Sequence, residues 1–433
     1  MINKYMINNK TSPFTPGSPV PVEFFVGRID QIKEVLQYIG QTLGGKQENI
    51  FLVGDRGIGK SSLASYLRHY VDNKTEIFGV HVFLGNVSTL EEMVHHIFEQ
   101  ILKETKGQPW FKSIRGFFGK YIKEVDLFGV SVSFSPPEED LKEIVRNFPE
   151  ALYNILEKIN NKDRGSEPRK KGLFIILDDI NGLVEKPEFA NWYKSFADEI
   201  ATHYKIYPVL MMLTGVPERR DKLSTLQPSL MRIFRVIEIK KLSDKEVEDF
   251  FTKAFGKVNM KVEPEAMGKM VRYSSGLPIL MHEIGDATFW IDTDGKIDTE
   301  DAYKGILEAA RRVGQKYLDP KVYRAIRSKR YMSILSKLGE MPDSRTFKKK
   351  DIEGKLNDNE RKVFHNFLRK LRELGVIEAD VEDERGSYRF VNELYPVCIR
   401  MERERFKKKA KNDGILETEE NEVSLYAGSA WND

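Results

Sequence analysis

Ile50-Phe51-Leu52-Val53-Gly54-Asp55-Arg56-Gly57-Ile58-Gly59-Lys60-Ser61 is an apolar run that passes directly into Gly-x-x-x-x-Gly-Lys-Ser. The run reads as a buried strand, and the glycines let the chain curl until successive backbone N–H groups point inward at a polyphosphate. Gly54, Gly57 and Gly59 supply that curl. The loop then opens a predicted helix over 61–70, whose N-terminal amides and partial positive charge face the phosphates. Lys60 is the mobile cation for the β and γ phosphates, and the Ser61 hydroxyl is a candidate Mg2+ ligand. Asp55, Arg56, Ile58 and Ser62 complete the predicted nucleotide-contacting positions of the loop. A strand before and a helix after separate this spacing from a chance glycine-rich turn, so a nucleotide polyphosphate is the expected ligand.

Working outward, the chain has 433 residues, too many for one hydrophobic core, and two or three domains are expected. Its 69 Lys and Arg against 66 Asp and Glu leave a net charge of +3, which speaks against a protein that wraps a polyanion as a whole. A local basic patch remains open. The single cysteine, Cys398, excludes an intramolecular disulfide and a cysteine-built zinc site, and fits a reducing, cytoplasmic compartment. Residues 1–20 are polar and rich in Pro and Ser, with no apolar signal-like region, and read as a flexible arm. No stretch of about eighteen apolar residues occurs, so no membrane association is expected. The seven histidines are scattered and read as surface or packing residues.

Further apolar runs at 77–84, 173–177, 209–213 and 236–239 alternate with helix-compatible sequence. With 50–53 they predict five buried strands of a parallel α/β sheet. The run at 173–177 ends in Asp178-Asp179, which places a carboxylate pair at the C-terminal edge of a central strand, where open α/β sheets bind ligands. Asp178 is the candidate to hold Mg2+ through water, and Asp179 to orient or deprotonate an attacking water. Between 105 and 137 lies an insertion with Trp110, Phe111, Phe117, Phe118 and Tyr121, followed by the alternation Val130, Val132, Phe134. It predicts a small hairpin with core aromatics, and carries no assigned function.

With the glycine loop and the acidic pair in place, the chain resembles AAA+ ATPases of the replication-initiator type and, nearly as well, the signalling STAND ATPases, over roughly residues 22–400. Phe25-Val26-Gly27-Arg28, about thirty residues ahead of the loop, looks like the box that packs against adenine in both groups. The resemblance implies ATP as the nucleotide, Val26, Gly27 and Arg28 as base-side contacts, and Thr214 as a polar sensor of the γ-phosphate. It also places Arg232 near the finger that completes a neighbouring subunit's site, which implies a homo-oligomer when ATP is bound. Ser243 with Glu246 forms a capping box, and helices over 264–273, 278–291 and 298–318 follow, looking like the AAA+ helical lid. Here Gly276-Leu277-Pro278-Ile279 lacks the arginine common in initiators and is closer to the STAND form, in which the proline packs near the base. Asp179 stands where AAA+ members commonly have Glu. Both departures point to a slow switch, turning over below roughly ten per second, the ordinary enzyme median.

Residues from about 322 to 401 look like a winged helix, with helices over 331–338, 350–356 and 360–374 and strands over 376–381 and 388–391. Val363, Phe364, Phe367, Leu368, Leu371 and Leu374 form the apolar stripe of the third helix. Its other face carries Arg361, Lys362, Asn366, Arg369, Lys370 and Arg372, and with Arg345, Lys348, Lys349 and Lys350 it suits a major groove and its phosphates. Glu382, Asp383 and Glu384 at the wing tip oppose DNA contact by the wing. Two readings therefore stay open: the helix alone binds duplex DNA, or the module docks a protein effector.

The expected organisation is an α/β, five-stranded parallel P-loop core at 21–240, an α-helical lid at 241–319, a winged helix at 320–404 and a charged mobile tail at 405–433. The expected function is an ATP- and Mg2+-dependent AAA+ switch acting on DNA. The alternative is a STAND-like signalling or defence ATPase whose winged helix and tail bind a protein partner, with hydrolysis resetting it.

Overall fold

The computed structural model describes residues 11–126, 130–160, 170–326, 328–340, 346–380 and 386–412. Wing-tip residues Glu382, Asp383 and Glu384, and Arg345, lie outside them. The chain forms two compact units, Pro19–Lys240 and a second made of the N-terminal segment to Ser18 with everything from Lys241.

In the first unit the elements run α1 (Ile29–Leu43), β1 (Glu48–Val53), α2 (Lys60–Lys74), β2 (Ile77–Phe83), α3 (Leu90–Glu104), α4 (Phe111–Phe118), β3 (Ile122–Asp126), β4 (Val130–Phe134), α5 (Glu138–Arg146) and α6 (Phe148–Ile159). Then follow β5 (Gly172–Asp178), α7 (Pro187–His203), β6 (Val209–Gly215), α8 (Pro217–Leu226) and β7 (Arg235–Glu238). The five long-range strands lie in the order β2-β5-β6-β1-β7, every neighbouring pair parallel, which is the predicted sheet. Leu173 to Leu177 and Val209 to Leu213 are fully buried, because helices cover both faces of a parallel sheet. Each such aliphatic or aromatic side chain contributes about 1.5–3 kcal/mol on leaving water. The parallel register puts the ends of β1, β5 and β6 at one edge of the sheet. That edge carries the glycine loop and both aspartates.

The predicted hairpin forms, β3 pairing antiparallel with β4. Trp110, Phe118 and Phe134 are buried, and Phe118 and Phe134 pack against Phe98 of α3 with ring centroids 5.3 and 5.8 Å away. These aromatics are core.

The second unit contains α9 (Asp244–Lys257), β8 (Lys261–Val262), α10 (Pro264–Ser274), α11 (Pro278–Ile291), β9 (Lys296–Ile297) and α12 (Thr299–Val313), which runs on through a wide helical turn at Gly314–Tyr323. Ser243 caps α9 with Glu246 as the predicted box. Next come α13 (Lys329–Leu338), β10 (Thr346–Lys348), α14 (Lys349–Glu353), α15 (Asp358–Glu373), β11 (Ile377–Ala379), β12 (Ser387–Phe390) and α16 (Leu394–Asn412). The winged-helix elements are all present, and a third strand, β10, joins the predicted two in the order β10-β12-β11. On α15 the stripe Phe364, Phe367, Leu368 and Leu371 is buried, while Val363 and Leu374 lie half-buried at its margin.

Two expectations for the ends of the chain are corrected. The arm expected to be flexible is anchored within residues 11–18: Phe14 is buried among Phe250, Phe251 and Phe255 of α9, and the Thr15 N–H donates to Nδ1 of His282 at 3.0 Å. Gly285 of α11 makes the notch, since a methyl group there would sit 2.3 Å from the Phe14 ring. At the other end α16 stays helical to Asn412, beyond Arg405, where a mobile tail was expected. Residues 413–433 lie outside the described set. No described helix is long and apolar enough to cross a membrane.

Candidate nucleotide site

The loop between β1 and α2 takes the shape its glycines permit. Gly57 and Gly59 have φ of 77° and 99°, in the left-handed region that side chains resist. Gly59 is the residue before α2, so the first amides of that helix are left open to the loop. Lys60 folds back over this cradle, its Nζ donating to the carbonyls of Gly54 at 2.7 Å and Asp55 at 2.9 Å. Burial lowers the Lys60 pKa from its ordinary value, more than Asp178, Asp55 and Asp179 offset by raising it. The ammonium is partly stripped of water before any anion arrives, which strengthens its attraction to phosphate.

Asp178 is buried at the end of β5. One carboxylate oxygen, Oδ1, accepts from the Thr214 hydroxyl of β6, and Oδ2 lies 3.0 Å from Nε2 of His81 on β2. The Ser61 hydroxyl adds a smaller favourable interaction with the same carboxylate. Burial pushes the Asp178 carboxyl up, but the bonds from His81 and Thr214, with a smaller contribution from Ser61, outweigh it and hold the group below the usual carboxylate range. Asp179 is exposed, with left-handed backbone at φ 62° and ψ 61°. Its N–H donates to Thr214 Oγ at 3.0 Å, and its carboxylate accepts from the Asn181 side chain. Thr214 thus bridges both aspartates. Placed by the sequence as a γ-phosphate sensor, it is fully buried here and its hydroxyl is committed to aligning the acidic pair.

The donor set suits Mg2+. The Ser61 hydroxyl and the Asp178 carboxylate are hard oxygen donors that interact with one another, and no cage of three or more acidic, cysteine or histidine ligands occurs among the described residues. Mg2+ bound through one or two protein oxygens and a substrate's phosphates needs no such cage.

The other predicted residues are distributed as follows. Phe25 stacks on Tyr66 of α2 at 4.5 Å, and Val26 and Gly27 lead into Arg28, whose backbone is left-handed. The buried Arg28 guanidinium donates to the carbonyls of Ile58, at 3.1 Å, and Lys240, so it braces the glycine loop from behind. Val20 N–H donates to the hydroxyl of Ser62 at 3.1 Å. Arg232 ends a short 3-10 helix at Pro228–Arg232 and is exposed, with no hydrogen bond or ion pair to another described residue. Pro278 is the first residue of α11 in the other unit. In the winged helix Arg361, Lys362, Lys348 and Arg369 are exposed and Lys349 and Lys370 half-exposed. Arg369 and Lys370 share Glu373 at 3.8 and 3.5 Å, Arg361 faces Asp358 at 3.9 Å, and Lys349 faces Glu353 at 3.1 Å. His81 was missed. The sequence reads it as a surface or packing histidine, and its contact follows only from the β2–β5 register, which the sequence does not display.

A five-stranded parallel sheet, a phosphate loop after β1 and an aspartate pair at the end of β5, one strand removed from β1, form a P-loop nucleotide-binding architecture. Residues 25–192 match the AAA ATPase domain family. The chain is similar in fold to the ORC2 protein of Aeropyrum pernix in its ADPNP-ADP complexes, with a TM-score of 0.57 and 12% identity, covering 90% of this chain and 98% of that one. The ADP form of the same protein gives 0.51 at the same identity and coverage. Among curated proteins, an uncharacterized HTH-type transcriptional regulator of Methanocaldococcus jannaschii is 22% identical over 285 residues, 61% of this chain. The match spans 64% of that relative's length. At these identities the likeness fixes the fold.

Proposed function

We propose that the chain is a Mg2+-dependent ATP-binding and hydrolysing switch whose nucleotide state governs engagement of duplex DNA by the winged helix. The observation that carries the nucleotide half is the Lys60–Ser61–Asp178 cluster at the sheet edge. Bound Mg2+ would supply charge neutralisation between the phosphates, with Ser61 and Asp178 as the residues that hold it. Lys60 would exchange the carbonyls of Gly54 and Asp55 for phosphate oxygens, and Asp179, exposed beside it, would orient water. The ADPNP and ADP forms of the ORC2 protein support a nucleotide-responsive role, and the exposed basic face of α15 together with the HTH-type relative supports DNA as the target. Arg232, exposed and unengaged among described residues, suits a finger offered to a second copy. Arg232→Ala then lowers turnover at unchanged ATP affinity.

The test is equilibrium binding to labelled duplex DNA across a salt series, with Mg2+ and ATP or ADP, comparing the wild type with an Arg369→Glu, Lys370→Glu double variant. ATP-dependent, salt-steep binding that collapses in the variant is expected, because phosphate contacts release counterions. One observation favours a second reading: Arg361, Arg369 and Lys370 are paired with carboxylates of their own helix. No DNA binding in either nucleotide state, with ATP affinity intact, assigns the module to a protein effector in a STAND-like switch.

A further inference from the structure

His81 is an unusual neighbour for a carboxylate expected to serve a metal. In the register of β2 with β5, His81 stands opposite Ile176 and Phe83 opposite Asp178, so His81 and Asp178 lie diagonally on one face of the sheet. Asp178 and Thr214 follow on the same edge, since Leu177 pairs with Leu213 on β6. Three adjacent strands thus send one side chain each to a single point. The imidazole is 7% exposed and lies against the Phe83 ring, centroids 4.3 Å apart and planes 27° from parallel. That stacking fixes the ring plane and leaves Nε2 aimed at Asp178 Oδ2.

The two oxygens of Asp178 are therefore held from opposite sides, Oδ2 by His81 and Oδ1 by Thr214. Without His81 the carboxylate would keep its anchor on Oδ1 alone and would be free to turn about it, losing its fixed orientation at the sheet edge. Partners of this kind, which touch a ligand residue and not the ion, typically govern metal affinity by 10–100-fold.

We infer that His81 is a positioning residue for the metal step, holding the Asp178 carboxylate in the orientation that Mg2+ with bound ATP requires. The inference rests on the ATPase reading above. It predicts that His81 matters only when the metal is present.

The test measures ATP affinity by calorimetry for the wild type, His81→Ala and His81→Gln, each with Mg2+ and with EDTA. His81→Ala is expected to bind ATP as the wild type does in EDTA, but to lose about 10–100-fold of the affinity gained on adding Mg2+. His81→Gln, whose side-chain amide can donate to Oδ2, is expected to recover most of that gain. Wild-type Mg2+ dependence in His81→Ala overturns the inference, as does an equal loss in EDTA, which would mark a general packing role. A wild type that binds no ATP overturns the ATPase reading itself, and is distinguished from the other outcomes by its own titration.

Discussion

Two buried carboxylates, one in each unit, are held by different chemistry. Asp178 in the sheet unit takes its bonds from an imidazole and the Thr214 hydroxyl. Glu360 in the winged helix, 2% exposed, takes Lys337 at 2.7 Å, the Ser333 hydroxyl at 2.6 Å and the Asn357 N–H at 2.8 Å. Burial raises the Glu360 carboxyl, and Lys337, Ser333 and Asn357 together bring it below its ordinary value. Its charge is met by a lysine's, so it ties α13 to the start of α15 and has nothing left to offer a ligand. Asp178 is oriented but keeps its charge available for a cation. A buried carboxylate bonded to a lysine belongs to the architecture, and one aligned by a hydroxyl and an imidazole belongs to the chemistry.

The comparison is broken first by ligand affinity. Lys60→Ala removes a partly desolvated cation from a phosphate site, a loss on the order of 2–5 kcal/mol in binding, and ATP titration is expected to show little or no complex while the fold is retained. Asp178→Asn should likewise abolish the Mg2+-dependent part of ATP affinity without lowering the urea midpoint. Either variant losing its fold instead would erase the distinction.

Glu360→Ala is expected to do the reverse. Removing it leaves Lys337 uncompensated at a site only a quarter exposed, which costs about 3 kcal/mol, the lower end for a broken buried pair. Urea unfolding at unchanged m should report that loss, with ATP affinity intact.

Acid sharpens the contrast within the second unit. His282 is held neutral, its pKa pushed by burial down to about 4 from 6.5, with its Nδ1 accepting from Thr15. The unfolded chain takes up a proton there before the folded one, so the stabilisation is complete above pH 6.5 and falls as the pH drops towards 4. At pH 5 the loss is about 2 kcal/mol. His282→Phe should flatten this part of the stability–pH curve; an unchanged curve would remove His282 from the account. The smallest effect belongs to Ser243→Ala, which deletes the cap of α9 and should cost about 1 kcal/mol in thermal unfolding.

What the sequence disclosed was local. The glycine spacing, the strand before it, the Asp178-Asp179 pair and the stripe of α15 are each written in fewer than about sixteen consecutive residues, within reach of periodicity. His81 was hidden because its meaning depends on strand register between β2 and β5, nearly a hundred residues apart in sequence. Thr214 was singled out by position, but its bonds to both aspartates depend on the register of β5 with β6. Phe14 sat in a Pro- and Ser-rich arm, and only the notch at Gly285, from a distant helix, explains why it is buried. The run Arg405-Phe406-Lys407-Lys408-Lys409 read as a tail by composition, although lysine and arginine favour helix well enough to extend α16.

The left-handed backbone at Asp179 bears on which replacements the site could accept in the course of descent. Asp and Asn visit that conformation far more readily than longer side chains do. Glutamate at 179 would bring the same charge on a side chain one methylene longer, yet it would have to adopt φ near 62° or drag the turn after β5 into a new shape. The shorter acid is therefore favoured by its own peptide geometry, although Arg28, with a longer side chain, holds the same φ of 62° in this chain.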